Sequence, residues 1–471
     1  MKRSSILALL LCFTGCANYT YQPDPVEPEA VLAKILSRDI DDPSFRQFMQ
    51  ANDYDVSQWP LPEWDPDSLT LAAIYFNPDM RLAFAQLQVR QAEVQTAAQR
   101  INPNVSIPLE YHSDTSGGIS PWLTGLVPDF VYERKAKRLA RINHARAQIE
   151  TARIGLEETG WQLRSRLRVA FIDYYAALRH RDLLRIELQL MEKIVKLLLR
   201  RQELGQASSF EVSTARLEMQ QLKVRLADQG LSINDSLYAL IRSTGLPADR
   251  FGEMSFSFSE MELLPRAEDL SMPSIRNIAL KKRFDVRRAL SEYTASEEAL
   301  KLEIEKQYPD ITLSPGFVFD QSDKIWSLGS AWILPLFHNN QGPIQEALAK
   351  RELQRLQFLK LQTAIINDLG MYRNRYLKLL GSLRDSGDLV AQMEERAAQA
   401  KKRFELGYSD RIEWMRSNLE LLRLKRASFD IRVEAIRTLQ KLENVLQYPL
   451  RTGFDIQDIL EELFVNKPAS S

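Results

Sequence analysis

The residue types that most often carry out chemistry are scarce in this chain and lie far apart. The 471 residues include four histidines and two cysteines: His112, His144, His180, His338, Cys12 and Cys16. No nucleotide-binding glycine loop and no hydrolase nucleophile elbow surrounds any of them. The sequence therefore predicts a protein that is not an enzyme and has neither a metal site nor a dissociable cofactor.

The charge balance argues against one large class of partners. The 62 lysines and arginines equal the 62 aspartates and glutamates, so the formal net charge is zero. Proteins that bind phosphate backbones usually carry an excess of cationic side chains. Nucleic acid is therefore not an expected partner, while an apolar fraction of 45% is ample for a buried core.

Cys16 is the residue whose surroundings predict a covalent modification. A basic start and a short apolar stretch, residues 2–13, read as a secretory signal that is too short to span a bilayer. The stretch ends in Phe13-Thr14-Gly15-Cys16, which resembles a bacterial lipobox, although Phe13 replaces the usual Leu. We expect removal of residues 1–15 and acylation of Cys16 with lipid such as palmitate. The alternative is an ordinary secreted protein with a cysteine near its cleavage site.

Two further expectations depend on an acylated Cys16. Cys12 would leave with the signal, so the mature chain would keep no thiol for a disulfide despite an oxidising destination. The resemblance to bacterial lipoproteins also implies sorting to the outer membrane, because Ala17, and not an Asp, follows the cysteine.

The chain contains one internal repeat, with an interval near 206 residues. Landmarks that keep this interval are Asp79 and Asp285, and Pro103 and Pro309, while Gly205 and Gly407 are 202 apart. Two copies of one structural unit explain why the landmarks recur in the same order. The expected domains are a signal peptide at 1–15, a lipidated N-terminal arm at 16–66, repeat 1 at 67–247, a linker at 248–273, repeat 2 at 274–449 and a C-terminal tail at 450–471. The arm, at 17–65, is expected to be an extended wrapping segment.

Each repeat is predicted to be mostly helix. Proline is absent between Tyr132 and Pro247 and between Ile344 and Tyr448, and both stretches are polar and mixed in charge. A helix over 131–203 would be about 110 Å long, so it must belong to a coiled coil or a wall. Apolar residues with heptad spacing form two stripes: Leu184, Leu188, Met191, Val195 and Leu198, and Leu183, Leu190, Ile194 and Leu197. Two stripes suit a ring of helices, and the alternative is a wide core stripe in an ordinary bundle. Shorter helices are expected at 67–101 and 275–307.

The long helices are predicted to reverse at two Leu-Gly pairs. Gly205 and Gly407 can adopt the left-handed conformation that ends a helix. Three residues later, Ser208 to Glu211 and Asp410 to Glu413 both fit a capping box that starts the next helix. Each repeat is therefore expected to have one long helical hairpin, with a tip near 205 or near 407.

After the landmark prolines the periodicity changes to two, which predicts one β-hairpin per repeat. The hairpins are expected at about 104–128 and 310–335, and Ile311, Leu313 and Phe317 alternate with small or polar residues. Strands of about ten residues can cross a bilayer, although a half-buried hairpin of a soluble sheet shows the same alternation. Hydrocarbon tolerates no open sheet edge, so four spanning strands must join those of other chains. Barrels start at eight strands, so the count permits a dimer or a trimer.

Together, the lipobox, the duplicated helical hairpins, the Leu-Gly turns and the β-hairpins resemble the TolC-type outer-membrane efflux factors. The resemblance covers about 69–449, and its most specific segments are the Leu-Gly tips and residues 333–344. The run Pro335-Leu336-Phe337, leading to Asn340-Gln341-Gly342, looks like the strand-to-helix junction of the heavy-metal cation-efflux branch. The run 133–138, rich in Lys and Arg, is similar to that branch as well.

The resemblance implies a mainly α fold with a small membrane β part. Duplicated long-helix hairpins would form a helical barrel, and four strands per chain would contribute to a trimeric, twelve-stranded outer-membrane β-barrel. It also implies a homotrimer in contact with outer-membrane lipid. Its expected partners are a periplasmic adaptor and an inner-membrane transporter, and the transporter class that we expect is the resistance-nodulation-division type. The protein would be a passive exit duct, and the transporter would supply the energy.

The resemblance also gives roles to the hairpin tips. In the family, acidic residues six and nine positions after the second tip glycine narrow the periplasmic entrance, and here Glu413 and Arg416 hold those positions. The double acidic ring is thus replaced by a Glu413 ring with Arg416 one turn away, a pair able to form salt bridges between protomers. The sequence is compatible with two roles for Glu413, in gating and in helix capping. The candidates for adaptor docking are Leu204, Gly205, Ser208, Leu406, Gly407 and Ser409.

Two other functions remain open on the sequence alone. A type I secretion duct would keep the channel but export peptides or proteins. A structural periplasmic lipoprotein would be a helical spacer that makes no pore.

Overall fold

The computed structural model describes residues 20–114, 117–252, 254–451 and 459–460. The predicted signal peptide, the predicted acylation site Cys16 and most of the predicted C-terminal tail lie outside these residues. The described helices are α1 (Pro28–Leu36), α2 (Pro43–Ala51), α3 (Pro66–Phe76), α4 (Pro78–Ala98), α5 (Lys135–Glu203), α6 (Ser209–Thr244), α7 (Ala248–Phe251), α8 (Met272–Lys281), α9 (Phe284–Glu305), α10 (Gln341–Glu405) and α11 (Arg411–Leu446). The described strands are β1 (Asn104–Ser106), β2 (Leu109–Tyr111), β3 (Trp122–Tyr132), β4 (Ile311–Asp320) and β5 (Asp323–Trp332).

Two of the helices are far longer than those of ordinary globular domains. α5 has 69 residues and α10 has 65, so each extends about 100 Å. The expectation of a mainly helical fold with long helices and antiparallel strands is confirmed. None of the helices in the described ranges is both long enough and apolar enough to cross a membrane.

The shorter helix expected at 67–101 is two helices, because the chain is extended at Asn77 before Pro78. Proline fits the first position of a new helix, and the Asn77 side chain caps it by accepting a bond from the Asp79 amide at 2.9 Å. The helix expected at 275–307 is divided in the same way into α8 and α9. There, Gln447 reaches over from the end of α11, and its side-chain oxygen accepts the amide of Phe284 at 2.6 Å.

The helices stand side by side in open rows of four. In the half that leads to the strands, α4 packs on α5, α5 on α9 and α9 on α10. In the half that leads to the tips, α6 packs on α5, α5 on α11 and α11 on α10. We call the side of α4 and α6 the first edge, and the side of α10 the second edge.

The strands of the sheet follow the same order as the helices in the adjoining row. β1 and β2 both pair with β3, β3 pairs with β4, and β4 pairs with β5, all antiparallel. β1 and β2 are one predicted strand interrupted at Ile107-Pro108, since proline cannot donate to a ladder. The first hairpin extends past its predicted end to Tyr132, and the second turns at Gln321-Ser322, where both residues have positive φ, as in a type I′ turn. The sheet therefore has a first edge at β1 and β2 and a second edge at β5.

The two faces of the sheet differ in character. Apolar side chains dominate the more exposed face: Leu126, Phe130, Leu313, Phe317, Trp326 and Leu328. The other face mixes glycine, serine and carboxylate with aliphatic side chains such as Val127 and Val318, and Ser314 donates a hydrogen bond to Asp129 at 2.6 Å. A Cβ at Gly316 would lie 2.6 Å from the Ser327 hydroxyl oxygen, so the strands approach closely there because this position is glycine.

The N-terminal arm is not the extended segment that the sequence predicts. α2 inserts Phe45, Phe48 and Met49 into the core, where the Phe45 ring lies 4.9 Å from that of Phe76. Pro43 and the Asp42 cap start this helix, because the Asp42 carboxylate accepts the Ser44 amide at 2.8 Å. The arm is therefore part of the equatorial core, the packed region where both repeats, the linker and the arm meet.

The equatorial core contains a group of buried charges. Arg164, Arg168 and Glu443 are 0% exposed, and Arg168 also bonds to Asp67 at 2.8 Å and to Glu260. Burial would raise the pKa of Glu443, but three arginine side chains, led by Arg451, hold that pKa below its usual range. Burial and the neighbouring Arg168 lower the pKa of Arg164 to about 10. These charges join α3, α5 and α11, so they fix the repeats to each other at the equator.

Candidate functional site at the hairpin tips

Both long hairpins reverse through the same backbone motif. Gly205 has φ +70°, its amide donates to the Gln202 carbonyl at 3.0 Å and the Gln206 amide donates to the Arg201 carbonyl at 2.7 Å. Gly407, between α10 and α11, has φ +77° and repeats this pair of bonds. These are Schellman motifs, and the left-handed residue at their centre explains the glycine.

After the first tip, the predicted capping box is present. The Ser208 hydroxyl accepts the Glu211 amide at 3.1 Å, and the Glu211 carboxylate accepts the Ser208 amide at 3.1 Å. Two of the free amides at the start of α6 are thus satisfied by residues three positions apart. The cap of α6 at the first tip therefore needs no residue from the other hairpin.

After the second tip, the predicted capping box is absent. Asp410 makes no side-chain cap to α11 and instead accepts both Nη atoms of Arg201 at 2.5 Å. Glu413 lies 3.5 Å from Arg403 across its own hairpin. A bidentate guanidinium–carboxylate pair is stronger than a neutral amide cap, which explains why Asp410 turns to α5.

The Arg201–Asp410 pair shifts the titration of the carboxylate. Partial burial alone would raise the pKa of Asp410, but the hydrogen bonds and the charge of Arg201, together with the nearby backbone amides of Ile412 and Arg411, outweigh it, so the pKa lies below its ordinary value. Both side chains are 37% exposed. Water can therefore replace either partner at small cost, and the pair is a link that can open.

The two hairpin ends enclose a charged cavity of about 590 Å³. Its lining alternates in charge, with Arg201, Arg396, Arg403 and Arg416 against Glu211, Asp410, Glu413 and Glu420. The two predicted gate residues, Glu413 and Arg416, are thus neighbours on one wall. Arg416 is exposed and has no carboxylate within ion-pair distance among the described residues. A gating role for these two residues stays a prediction.

The predicted docking residues lie at the outermost points of the tips. Leu204 and Leu406 are exposed, and no heavy atom lies within 4 Å of a Cβ built on Gly205 or Gly407. Ser208 is engaged as the cap of α6, and the Ser409 hydroxyl is buried without a described hydrogen-bond partner. A role in docking for these residues stays a prediction.

Sequence reasoning missed two aromatic side chains at the tips. Phe210 and Tyr408 are both more than three-quarters exposed, and Phe210 lines a groove between the hairpins. Aromatic residues close to a helix reversal are the sequence signal that marks them. Met191, Ile194 and Leu419 line the groove, so the tip region combines an apolar surface with the charged cavity.

The four histidines are not brought together. His180 lies at the contact of α5 with α11, where its Nε2 is 2.6 Å from an Asp430 carboxylate oxygen. Among the described residues, no group of three or more His, Cys, Asp or Glu side chains has the arrangement of a metal site.

Comparison with known proteins places the fold. No protein-family model matches the chain. The cobalt-zinc-cadmium resistance protein CzcC of Cupriavidus metallidurans is 24% identical over 296 residues, which cover 58% of this chain and 69% of that protein.

Two crystal structures share the architecture at low sequence identity. The outer membrane protein VceC from Vibrio cholerae has a TM-score of 0.66 and 18% identity, over 82% of this chain and 96% of that one. The CmeC outer membrane channel of Campylobacter jejuni has a TM-score of 0.67 and 13% identity, over 85% of this chain and 89% of that one. At the level of the fold, the resemblance to the TolC-type outer-membrane factors is confirmed.

Proposed function

We propose that this chain, which has the fold of the TolC-type outer-membrane channels, is the outer-membrane duct of a tripartite efflux pump. It would act as one protomer of a homotrimer and carry cargo passively. The observation that supports this best is that both helical halves of the protomer are open rows of four helices, and that these rows and the sheet each have two edges without a partner among the described residues.

The edge helices turn apolar side chains away from their own protomer. On α6, five exposed apolar residues recur every seven positions: Phe210, Leu217, Val224, Leu231 and Tyr238. They lie half a helical turn away from the buried stripe of Val212, Ala215 and Leu222. An exposed heptad stripe on an edge helix is the surface of a coiled-coil seam that needs another helix.

The other edge helices carry matching surfaces. On α4, Leu82 and Val89 are exposed and lie opposite the buried Met80 and Leu87. On α10, the second edge, the exposed apolar side chains include Leu353, Leu356, Leu359, Ile366, Met371 and Leu389. A first edge and a second edge differ, so they would join head to tail in a closed ring of identical chains.

The sheet supports a membrane-spanning role for the same ring. Its apolar, aromatic face suits lipid, while the face with Asp129, Ser314 and glycine suits a water-filled lumen. Its free edges, β1 with β2 and β5, would pair between protomers and leave no open edge in hydrocarbon. With β1 and β2 counted as one interrupted strand, three copies would give a closed barrel of twelve strands.

The tips would form the periplasmic end, where the duct opens and where partners bind. We propose that the Arg201–Asp410 pair, with Glu413 and Arg416 in the same cavity, holds the second tip against the first in the closed duct. The exposed tip residues would contact a periplasmic adaptor, and an inner-membrane transporter of the resistance-nodulation-division type would drive export. Acylated Cys16 would anchor the protein to the outer membrane.

Heavy-metal cations are the cargo class that we propose for the pump. The likeness to CzcC, whose name refers to cobalt, zinc and cadmium, and the junction run 335–342 support it. Selection would rest with the transporter, so the duct itself would need no metal site.

The ring is tested by weakening one seam. Replacing Leu217 and Val224 with Gln removes apolar contacts that contribute about 1.5–3 kcal/mol per side chain, so the trimer should dissociate to monomers in native mass spectrometry. The matched control replaces the exposed flanking residues Arg216 and Arg225 with Gln and should keep the trimer. A seam variant that stays trimeric at the same protein concentration, or a wild type that is monomeric, would contradict the proposal.

A further inference from the structure

Helix α1 folds without burying any of its residues. Residues 20–37 are all exposed, and α1 has nine residues. Isolated helices shorter than about 12–15 residues are marginal in water. Four apolar side chains share one face of α1, with exposures between 38% and 58%: Val31, Leu32, Ile35 and Leu36. α1 therefore needs a partner that its own described residues do not supply.

The attachment of the arm places α1 at the first edge. Arg38, two residues after α1, donates a hydrogen bond from Nη1 to the Gly245 carbonyl at 2.8 Å. Asp39 pairs with Arg250 at 2.9 Å. Gly245 ends α6, so the arm leaves the protomer where, in the proposed ring, the second edge of the neighbour arrives.

The second edge has a helix that lacks a cover. α8 and α3 occupy the same position in the two repeats, since they begin at Met272 and Pro66, 206 residues apart. Nine of the eleven α3 residues are buried, because α5 and α6 pack against it and α2 of the arm adds a further contact. In α8, Ile275 and Ala279 are the buried residues, and Leu280, on a neighbouring face of the helix, is exposed.

α8 lies beside the second edge and at the level of the arm. Ile275 and Ala279 belong to the same apolar cluster as Ile365, Leu369 and Tyr376 of α10. The turn before α8 is bonded to α10 as well, because Arg373 donates to the Leu270 carbonyl at 2.6 Å. The exposed side of α8 is therefore presented beside the edge that would meet α1.

The two surfaces are complementary in charge. The stretch before and at the start of α1 is acidic, with Asp24, Glu27 and Glu29, and its one basic residue up to Leu36 is Lys34 in the last turn. Residues 271–282 contain Arg276, Lys281 and Lys282, all exposed, and no Asp or Glu. Opposite charges around an apolar contact orient the two helices and favour this pairing over a pairing of like segments.

We propose that α1 of each protomer docks on the exposed face of α8 in the neighbouring protomer, an inference that rests on the ring proposed above. Val31, Leu32, Ile35 and Leu36 would cover Leu280, and the acidic residues before them would face Lys281 and Lys282. The arm would thus cover two quasi-equivalent helices, α3 of its own protomer through α2 and α8 of the next through α1.

Disulfide trapping between differently tagged chains tests the docking. One chain carries Ile35→Cys and the other Leu280→Cys, so only contact between protomers gives a cross-linked heterodimer after mild oxidation. The matched control, Ala33→Cys, lies on the opposite side of α1 and should give about tenfold less product. The parent chain with neither substitution reports any background from its own cysteines.

Native mass spectrometry of the same samples separates the possible results. An intact trimer that yields the Ile35–Leu280 cross-link supports the docking. An intact trimer with no more product than the Ala33 control contradicts the docking but not the ring. The same holds for a cross-link that forms only when both cysteines are in one chain. A preparation without trimers overturns the ring and the docking together.

A charge exchange tests the orientation. In the cross-linking pair, Lys281→Glu with Lys282→Glu should reduce the yield of heterodimer about fivefold. Adding Glu27→Lys and Glu29→Lys to the other chain should restore it. Failure of the second pair to rescue a yield that the first pair has lowered would contradict the proposed orientation.

Discussion

Helices α5 and α11 are joined by ion pairs at both ends of their contact, and the two groups of charges differ in burial. At the equator, Arg164, Arg168 and Glu443 are 0% exposed. At the tips, Arg201 and Asp410 are each 37% exposed. Separating buried partners leaves an unpaired charge in a medium that solvates it poorly, whereas water takes over an exposed pair readily. The same two helices are therefore clamped at one end and releasable at the other, as a gate at the tips requires.

The largest effect is expected at the clamped end. Glu443→Gln would leave Arg164, Arg168 and Arg451 without their shared carboxylate and should lower the free energy of unfolding by about 3–5 kcal/mol. Thermal unfolding of the purified protein measures this loss. The matched control on the same helix is Glu434→Gln, which breaks an exposed pair with Arg375 and should cost about 1 kcal/mol or less. Equal losses in the free energy of unfolding for the two variants would contradict the distinction between buried and exposed ion pairs.

The second expected effect is on export. Gly407→Trp places a large side chain at the outermost point of the second tip, where a Cβ meets no atom within 4 Å. We expect normal trimers in the outer membrane but no export in a cellular efflux assay, because the adaptor could no longer reach the tip. Gly407→Ala is the control, since it carries the cost of about 1–2 kcal/mol for a left-handed residue without the bulk. Full export by a correctly assembled Gly407→Trp trimer would contradict a docking role.

The third effect distinguishes the two tips. Asp410→Asn breaks the link to Arg201 and should change the free energy of unfolding by about 1 kcal/mol or less, yet make producing cells permeable to a large polar antibiotic. Ser208→Ala removes the cap of the first tip, at a cost of about 1 kcal/mol, without that permeability. Equal antibiotic permeability of cells that produce either variant would contradict the view that the first tip is stabilised within its own hairpin.

The smallest effect concerns pH. The pKa of Asp410 is lowered from 3.8, so the stabilisation from its pair with Arg201 is present above the ordinary pKa and is lost as the pH falls through the lowered one. Conductance of wild-type channels should therefore stay constant from neutral pH down to mild acid and rise only in strong acid. Asp410→Asn channels should lack that rise, and a rise of the same size in both would assign it to other groups.

Turns and caps whose partners lie close together in the chain can be predicted from the sequence. The Schellman turns at Gly205 and Gly407 and the Ser208–Glu211 box are visible because their partners lie within a few positions. The Arg201–Asp410 pair is not, since its partners are 209 residues apart and each looks like an ordinary charge near a helix end. Both residues lie within four positions of a tip glycine, which is the one signal in the sequence that the two tips lie level.

The buried charges at the equator are invisible to sequence reasoning for a related reason. Arg164 and Arg168 stand on a helix rich in arginine, and only the packing of α3, α11 and the 259–262 turn around them removes them from water. The fold of the arm is hidden in the same way, because a segment rich in proline and aspartate is typical of an extended chain, and only tertiary contacts bury Phe45 and Met49 of its helix α2. Local patterns therefore establish the architecture, and long-range packing decides which charges are fixed.

Single-channel recording in a planar lipid bilayer tests the central claim most directly. Purified wild-type trimers should give discrete conductance steps, and Asp410→Asn trimers should give larger or longer openings, because their tips are released while the equatorial clamp remains. Silence from Asp410→Asn trimers that are intact by native mass spectrometry and inserted in the bilayer would contradict the account, since a spacer without a pore behaves in that way.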